Sequence, residues 1–248
     1  MNENNVVVIT GGTKGIGKAM VKRYLKSGAH VITFFSKDAK AMEALRRELP
    51  ASDAERFLAF QGSIVDESFL TETLQMIISK FGEINILINN AGMTQDQLFI
   101  NMTQDEWDCV LSTNLAGTYR LTILAAELMK SNSSLSNIVN ISSISGLYGR
   151  ASQANYACSK GGIIGITKLL AWKYAGTQLR INAITPGLIA TDMVSSMPQT
   201  KIEEILNAVG LRRMGTTKEV AEFVFSTTGE ASSYLSGTCL SLDGGFRK

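Results

Sequence analysis

A chain of 248 residues with 45% hydrophobic and 19% charged side chains has the composition of a folded domain with a large core, which excludes a disordered or fibrous protein. Its 24 basic and 22 acidic side chains leave a net charge of +2 with no run of Lys or Arg, so nucleic acid is not an expected partner. One histidine and three scattered cysteines, Cys109, Cys158 and Cys239, exclude a metal cluster and a disulfide framework, and a Ser-His-Asp triad would have to use His30.

The opening Met1-Asn-Glu-Asn-Asn5 is polar and runs into an apolar strand. It lacks the basic and apolar regions of a signal peptide. No segment approaches the ~18 apolar residues of a membrane span. A cytoplasmic chain with no membrane partner is expected. Only three prolines occur and no Gly/Ser-rich stretch divides the chain, so residues 1–248 read as a single domain.

Strand patterns fall at Val6–Thr10, His30–Phe35, Phe57–Gln61, Ile84–Asn89, Asn137–Ser142, Arg180–Ile184 and Thr238–Leu242. Most are continuous apolar runs, as parallel strands covered on both faces require. Helical patterns lie between them near 15–27, 38–49, 66–80, 103–130, 153–174, 200–208 and 217–228. Thr103 and Thr216 each precede a Glu by three residues, the spacing of a capping box. Gly28 suits a helix end. Strict alternation predicts an α/β fold. It is a Rossmann-like doubly wound domain with a seven-stranded, mainly parallel sheet flanked by helices.

The first strand runs into Thr10-Gly-Gly-Thr-Lys-Gly-Ile-Gly17. Gly11, Gly15 and Gly17 free the backbone to approach a pyrophosphate, with Thr13 and Ile16 between them. The following helix start offers unpaired N–H groups and a positive dipole end. The spacing is G-x-x-x-G-x-G, and a tight turn without ligand uses similar glycines. The second strand ends in Phe34-Phe35-Ser36-Lys37. It lacks the carboxylate that often holds an adenosine 2′-hydroxyl in enzymes using NAD. Asp38, just beyond, suits the cap of the next helix. Lys14, Ser36 and Lys37 could meet a 2′-phosphate, so NADPH is the expected cofactor. The fourth strand stops abruptly in Asn89-Asn90-Ala91-Gly92. Its amides can tie down loops, and its small residues leave room for a flat ring.

The fifth strand ends at Ser142-Ser143. Tyr156 follows Ser143 by thirteen residues, and Lys160 follows Tyr156 by four. On a helix, Tyr156 and Lys160 share a face. A phenol is a weak acid, with an ordinary pKa of about 10. A nearby ammonium stabilises its anion and is expected to lower that value. The pair then becomes a general acid–base.

In order and spacing, the glycine loop, Asn-Asn-Ala-Gly92, Asn114, Ser143, Tyr156, Lys160 and Pro186-Gly187 resemble the short-chain dehydrogenase/reductase family over essentially the whole chain. Gln153-Ala-Asn-Tyr-Ala157, Asn182-Ala-Ile-Thr-Pro-Gly-Leu-Ile-Ala-Thr-Asp-Met193, Asn90-Ala-Gly-Met-Thr-Gln-Asp-Gln-Leu98 and the ending Leu242-Asp-Gly-Gly245 look most like its β-ketoacyl-acyl-carrier-protein reductases.

The resemblance implies that Tyr156 protonates a carbonyl oxygen as hydride arrives. Lys160 would assist Tyr156 and hold the nicotinamide ribose. Ser143 would orient the carbonyl, and Asn114 would hold a water leading to Lys160. Pro186, Gly187, Ile189 and Thr191 would flank the nicotinamide, and Ser63 and Ile64 the adenine. Residues 188–214, with Met193, Met197, Leu206, Leu211 and Met214, would form a substrate lid, though a plain surface helix also fits them.

The implied reaction is NADPH-dependent reduction of a 3-oxoacyl thioester on acyl carrier protein. The family's usual homotetramer would pair the longest helices, where Gly161, Gly162 and Gly165 suggest close approach and where Trp107 and Trp172 would pack. Two departures stand out. Ser63 replaces a longer polar residue, and the expected rim arginines are absent. Lys130, Lys168 and Lys173 would have to meet the carrier instead. Rival readings are a reductase for a specialised lipid, polyketide, sugar or steroid, and a non-catalytic nucleotide sensor.

Overall fold

The computed structural model describes residues 5–195 and 197–247, without the side chain of Met193. The first four residues lie outside it. The first half of the chain forms β1 (Val6–Thr10), α1 (Gly15–Leu25), β2 (His30–Phe35), α2 (Ala39–Glu48), α3 (Ala51–Ala54), β3 (Phe57–Gln61), α4 (Glu67–Phe81), β4 (Ile86–Asn89), α5 (Gln104–Leu111), α6 (Thr118–Met129) and β5 (Ser136–Ile141). The second half forms α7 (Ser145–Tyr148), α8 (Ala154–Lys173), β6 (Leu179–Pro186), β7 (Ile189–Ala190), α9 (Asp192–Ser195), α10 (Gln199–Ala208), β8 (Gly215–Thr216), α11 (Thr217–Thr227) and β9 (Cys239–Leu242).

Seven strands form one sheet in the order β3-β2-β1-β4-β5-β6-β9, and every neighbouring pair is parallel. The sheet is therefore wholly parallel among the described residues. Alternate side chains enter opposite cores. Val6, Val8, Ile32 and Phe34 face one layer, and Val7, Ile9 and Val31 face the other. That double burial explains the unbroken apolar runs. Each such side chain contributes about 1.5–3 kcal/mol. The strand order reverses between β1 and β4, and the crevice at that switch point is where open α/β sheets take ligands.

The expected helix signals are present. Thr103 and Thr216 close capping boxes with Glu106 and Glu219. Asp38 caps α2 by accepting from the Ala41 N–H at 2.8 Å, and Gly28 follows α1 with φ 88°.

The continuous helix expected over 103–130 is interrupted. A π turn over Ser112–Gly117 separates α5 from α6, a wider hydrogen-bond spacing that apolar periodicity does not encode. A Cβ on Gly117 would lie 2.9 Å from Ile64, so close packing there demands glycine.

The α8 glycines divide by cause. A Cβ on Gly161 would lie 3.2 Å from the Gly146 carbonyl, one on Gly162 would lie 2.7 Å from Leu115, and one on Gly165 would meet nothing within 4 Å. Trp172 does not pack within the chain, being 79% exposed. His30 is half-buried at the start of β2, and its ring lies 5.0 Å from that of Phe81.

Residues 188–214 are anchored at both ends. β7 pairs with β8. The Gly210 and Leu211 N–H groups donate to the Gly245 and Gly244 carbonyls at 3.1 and 3.0 Å.

Candidate active site

The loop after β1 is bound to the end of β4. Thr10 Oγ1 accepts from the N–H groups of Asn90 and Ala91, both at 2.9 Å. The Asn90 amide donates to the carbonyls of Thr10 and Gly11 at 3.0 and 3.2 Å. Gly11 and Gly15 have φ of 66° and 51°, a region that favours glycine. A Cβ on Gly17 would sit 2.1 Å from the Gly11 carbonyl and 2.7 Å from the Asn90 amide. Gly12, passed over in the sequence, is equally constrained, since a Cβ there would lie 2.3 Å from Thr33 Oγ1. Its only sequence signal was the Gly-Gly doublet.

Thr13 is buried and Ile16 half-buried. No side chain caps the start of α1, and no acidic residue lies in its first turn. This uncapped positive end above a glycine loop fits the pyrophosphate of a dinucleotide.

At the tip of β2, Ser36 and Lys37 are exposed. Lys14 is not waiting as a lone cation, because its ammonium pairs with Asp38. Ser63 and Ile64 follow β3. The Ser63 hydroxyl accepts from the Val65 N–H at 3.4 Å, and Ile64 is buried.

On the opposite side, Pro186 ends β6, and its carbonyl accepts from the Ile144 N–H at 3.1 Å. A Cβ on Gly187 would lie 2.8 Å from Asp243 Cα. Ile189 is buried. The Thr191 methyl lies 3.5 Å from where a Cβ on Gly15 would stand. The 186–191 segment thus closes toward the glycine loop.

Between these halves lie Ser143, Tyr156 and Lys160. Ser142 Oγ donates to the Lys160 carbonyl at 2.7 Å and is thereby committed to the helix. Ser143 instead stands close enough to the Tyr156 phenol for its hydroxyl to lower the phenol's pKa, and it accepts from the Ser145 N–H at 3.1 Å. Of the two serines, Ser143 is thus the one whose hydroxyl is not bound to the helix backbone.

Lys160 is 3% exposed, and its Nζ donates to the Ile141 carbonyl at 2.8 Å. Burial pulls its pKa down to about 8. The expected lowering of the Tyr156 pKa is not what this structure shows. Desolvation of the phenol holds its pKa above the ordinary value, opposed by the neighbouring Ser143 hydroxyl. Asp96 pushes it further up and Arg150 pulls it down. The Lys160 ammonium is 5.7 Å from the Tyr156 ring centroid and is spent on Ile141.

Asn114 lies in the π turn and is wholly buried. Its Oδ1 accepts from the Met93 N–H at 2.8 Å. Its Nδ2 donates to the Met93 carbonyl at 2.9 Å and to Ser159 Oγ at 3.1 Å. Ser159 Oγ in turn donates to the Tyr156 carbonyl at 2.7 Å. Asn114 therefore joins the end of β4 to α8. A Cβ on Gly92 would lie 3.3 Å from Asn114 Oδ1 and 3.4 Å from Lys160 Nζ, so these two groups converge on the end of the β4 loop.

Two further residues were missed, although they flank Tyr156 in sequence. Asn155, wholly buried, donates to the Gln95 and Glu106 carbonyls, both at 3.1 Å, and accepts from the Tyr156 N–H at 2.7 Å. Gln153 donates to Asp96 at 2.8 Å and accepts from Ser145 Oγ at 3.1 Å. Ser152, beside them, has φ 66°, costly for a residue with a Cβ. The Gln97 N–H holds its carbonyl at 2.8 Å.

Among the described residues, no group of three His, Cys, Asp or Glu could hold a metal ion, and no helix is long and apolar enough to cross a membrane.

Residues 5–202 match the model of the short chain dehydrogenase family. The chain is 36% identical over 247 residues to the 3-oxoacyl-acyl-carrier-protein reductase FabG of Thermotoga maritima, covering 98% of each chain. It is 34% identical to a 3-oxoacyl-acyl-carrier-protein reductase of Synechocystis, covering 97% of this chain and 96% of the other. A solved structure from Brucella melitensis, described as a short-chain dehydrogenase/reductase of the glucose/ribitol dehydrogenase type, superposes with a TM-score of 0.91 at 27% identity, covering 99% of this chain and 97% of that one. With its tyrosine and lysine on one helix beside a dinucleotide crevice, and with relatives matched along its length, this chain belongs to the short-chain dehydrogenase family.

Proposed function

We propose that this chain catalyses NADPH-dependent reduction of a 3-oxoacyl thioester, carried on acyl carrier protein, to the 3-hydroxyacyl product. The observation that carries the reading is the placing of Tyr156 over buried Lys160 on α8, with the ammonium 5.7 Å from the ring and Ser143 beside the phenol. The full-length similarity to two carrier-protein reductases supports the substrate class.

The nicotinamide, when bound, supplies hydride to the carbonyl carbon. Ser143 hydrogen-bonds the carbonyl oxygen and fixes its orientation. Tyr156 gives that oxygen a proton. The raised pKa of its phenol keeps the proton in place until negative charge develops. Lys160 holds the nicotinamide ribose and leads a replacement proton to Tyr156, with Asn114 holding the water that supplies it. Gly11 to Gly17 and the start of α1 hold the pyrophosphate. Ser63 and Ile64 border the adenine. Pro186, Gly187, Ile189 and Thr191 border the nicotinamide, and residues 188–214 cover the substrate.

The carrier would meet Lys168 and Lys173 rather than Lys130, whose ammonium is paired with Glu127. NADPH consumption with acetoacetyl-carrier protein, acetoacetyl-CoA and simple ketones tests the proposal. The thioesters should turn over with kcat/KM at least tenfold higher for NADPH than for NADH. Equal values for the two cofactors would sink the NADPH preference. Turnover of simple ketones alone would favour a specialised reductase. Tight cofactor binding without any turnover would favour a sensor.

The same proposal includes a homotetramer. On α8, Gly165 leaves open space, and Leu169 and Trp172 on the same face are 59% and 79% exposed. A second copy of α8, running antiparallel, would set these large side chains against the glycine gap. Sedimentation equilibrium should give four chains per particle, and a dimer for Trp172→Glu. A monomeric parent protein would refute the assembly.

A further inference from the structure

Lys14 and Asp38 meet at the β1–β2 side of the cofactor crevice. Lys14 stands at the N-terminal boundary of α1, on the loop that follows β1. Asp38 stands at the boundary of α2, just past the end of β2. β1 and β2 are adjacent, with Thr10 opposite Phe34, so the two loops leave neighbouring strand ends. Asp38 Oδ1 accepts the Ala41 N–H at 2.8 Å, which pins the carboxylate, while Oδ2 takes the Lys14 ammonium. Both side chains remain open to solvent, at 57% and 41% exposure. Asp192, at the start of α9, is a second carboxylate within electrostatic reach of Lys14. The cation that a 2′-phosphate needs is thus already engaged by an acid.

We propose that Asp38 is a specificity-determining residue that limits the preference for the phosphorylated cofactor by holding Lys14. The inference rests on the reading that Lys14 meets the 2′-phosphate. A cofactor with a free 2′-hydroxyl leaves the ion pair intact. A 2′-phosphate has to draw the ammonium away from Asp38 before it can pair with it. Giving up one ion pair a few ångströms across in a solvated crevice changes affinity by about fivefold to tenfold. The penalty falls on the phosphorylated cofactor alone, and salt reduces it.

Asp38→Asn isolates the charge, because its side-chain oxygen still accepts from Ala41 N–H and the cap is kept. Dissociation constants for NADPH, NADH and 2′,5′-ADP, read by nucleotide fluorescence and calorimetry, give the answer without turnover. The variant should bind NADPH and 2′,5′-ADP about fivefold to tenfold more tightly, with NADH unchanged within about twofold. Asp38→Ser, which also caps, should behave alike. In a Lys14→Gln background the gain should largely disappear.

An unchanged NADPH-to-NADH affinity ratio in both variants overturns the proposal, and so does an undiminished gain without Lys14. The two readings fail separately. A parent protein that binds both cofactors equally refutes the NADPH preference, whereas Asp38→Asn still decides whether the carboxylate opposes a 2′-phosphate.

Discussion

Replacing Tyr156 with Phe should lower kcat for thioester reduction by about a hundredfold to ten-thousandfold, the usual worth of a positioned proton donor. NADPH affinity and the fold should be nearly unchanged. The substitution removes one hydroxyl, and the neighbouring group it would leave is Ser143. Ser143 Oγ keeps its bond from the Ser145 N–H, so no buried group is left stranded, and the stability change should stay within about 1 kcal/mol. Steady-state kinetics beside fluorescence titration of NADPH separates the two effects. A Tyr156→Phe enzyme retaining more than about a tenth of its kcat would remove this phenol from the chemistry. Ser143→Ala should lower kcat less, because the proton donor remains.

Lys160→Met separates stability from activity in the opposite sense. Burial pulls the Lys160 pKa from 10.5 down to about 8, so between those values the native state binds fewer protons than the unfolded chain. Stability then rises with pH across that window. The cost of the buried charge is fully present below pH 8 and is gone above pH 10.5. It amounts to roughly 3 kcal/mol at pH 7. Methionine removes the charge at similar length but leaves the Ile141 carbonyl without its donor, which costs about 1–2 kcal/mol. The variant should therefore be more stable than the parent at pH 7 by about 1–2 kcal/mol. That advantage should vanish and reverse as pH rises toward 10.5. Its activity should fall at least about a hundredfold. Denaturant melts of both proteins from pH 7 upward check the sign. A constant difference would show that the lysine is not buried as a charge. The parent's reductase activity should decline as pH passes about 8, where Lys160 loses its proton.

Both predictions concern residues visible in the linear sequence, but their energetics were not visible there. The four-residue spacing of Tyr156 and Lys160 placed them on one face of α8. It could not show that Lys160 donates to the Ile141 carbonyl. Nor could it show that the phenol's pKa is held up by its surroundings. The Lys14 reading divides in the same way. Its place in the glycine loop and the capping role of Asp38 were legible. That the two side chains meet was not, because the contact joins loops after different strands. Asn114 was identified only through resemblance. The π turn that carries it looks like uninterrupted helix when apolar residues are counted.

Some properties belong to the chain read residue by residue. The apolar runs dictated parallel strands buried on both faces, the alternation dictated the doubly wound sheet, and the Thr–Glu spacings dictated the starts of α5 and α11. Each is a local or periodic effect, settled by backbone geometry and burial within a few residues. Only the tertiary structure decided that Ser142 is bound to the Lys160 carbonyl, what crowds Gly12, and which acid engages Lys14. Those outcomes depend on groups distant in sequence being packed within a few ångströms, where desolvation and charge act over distances that sequence spacing does not measure.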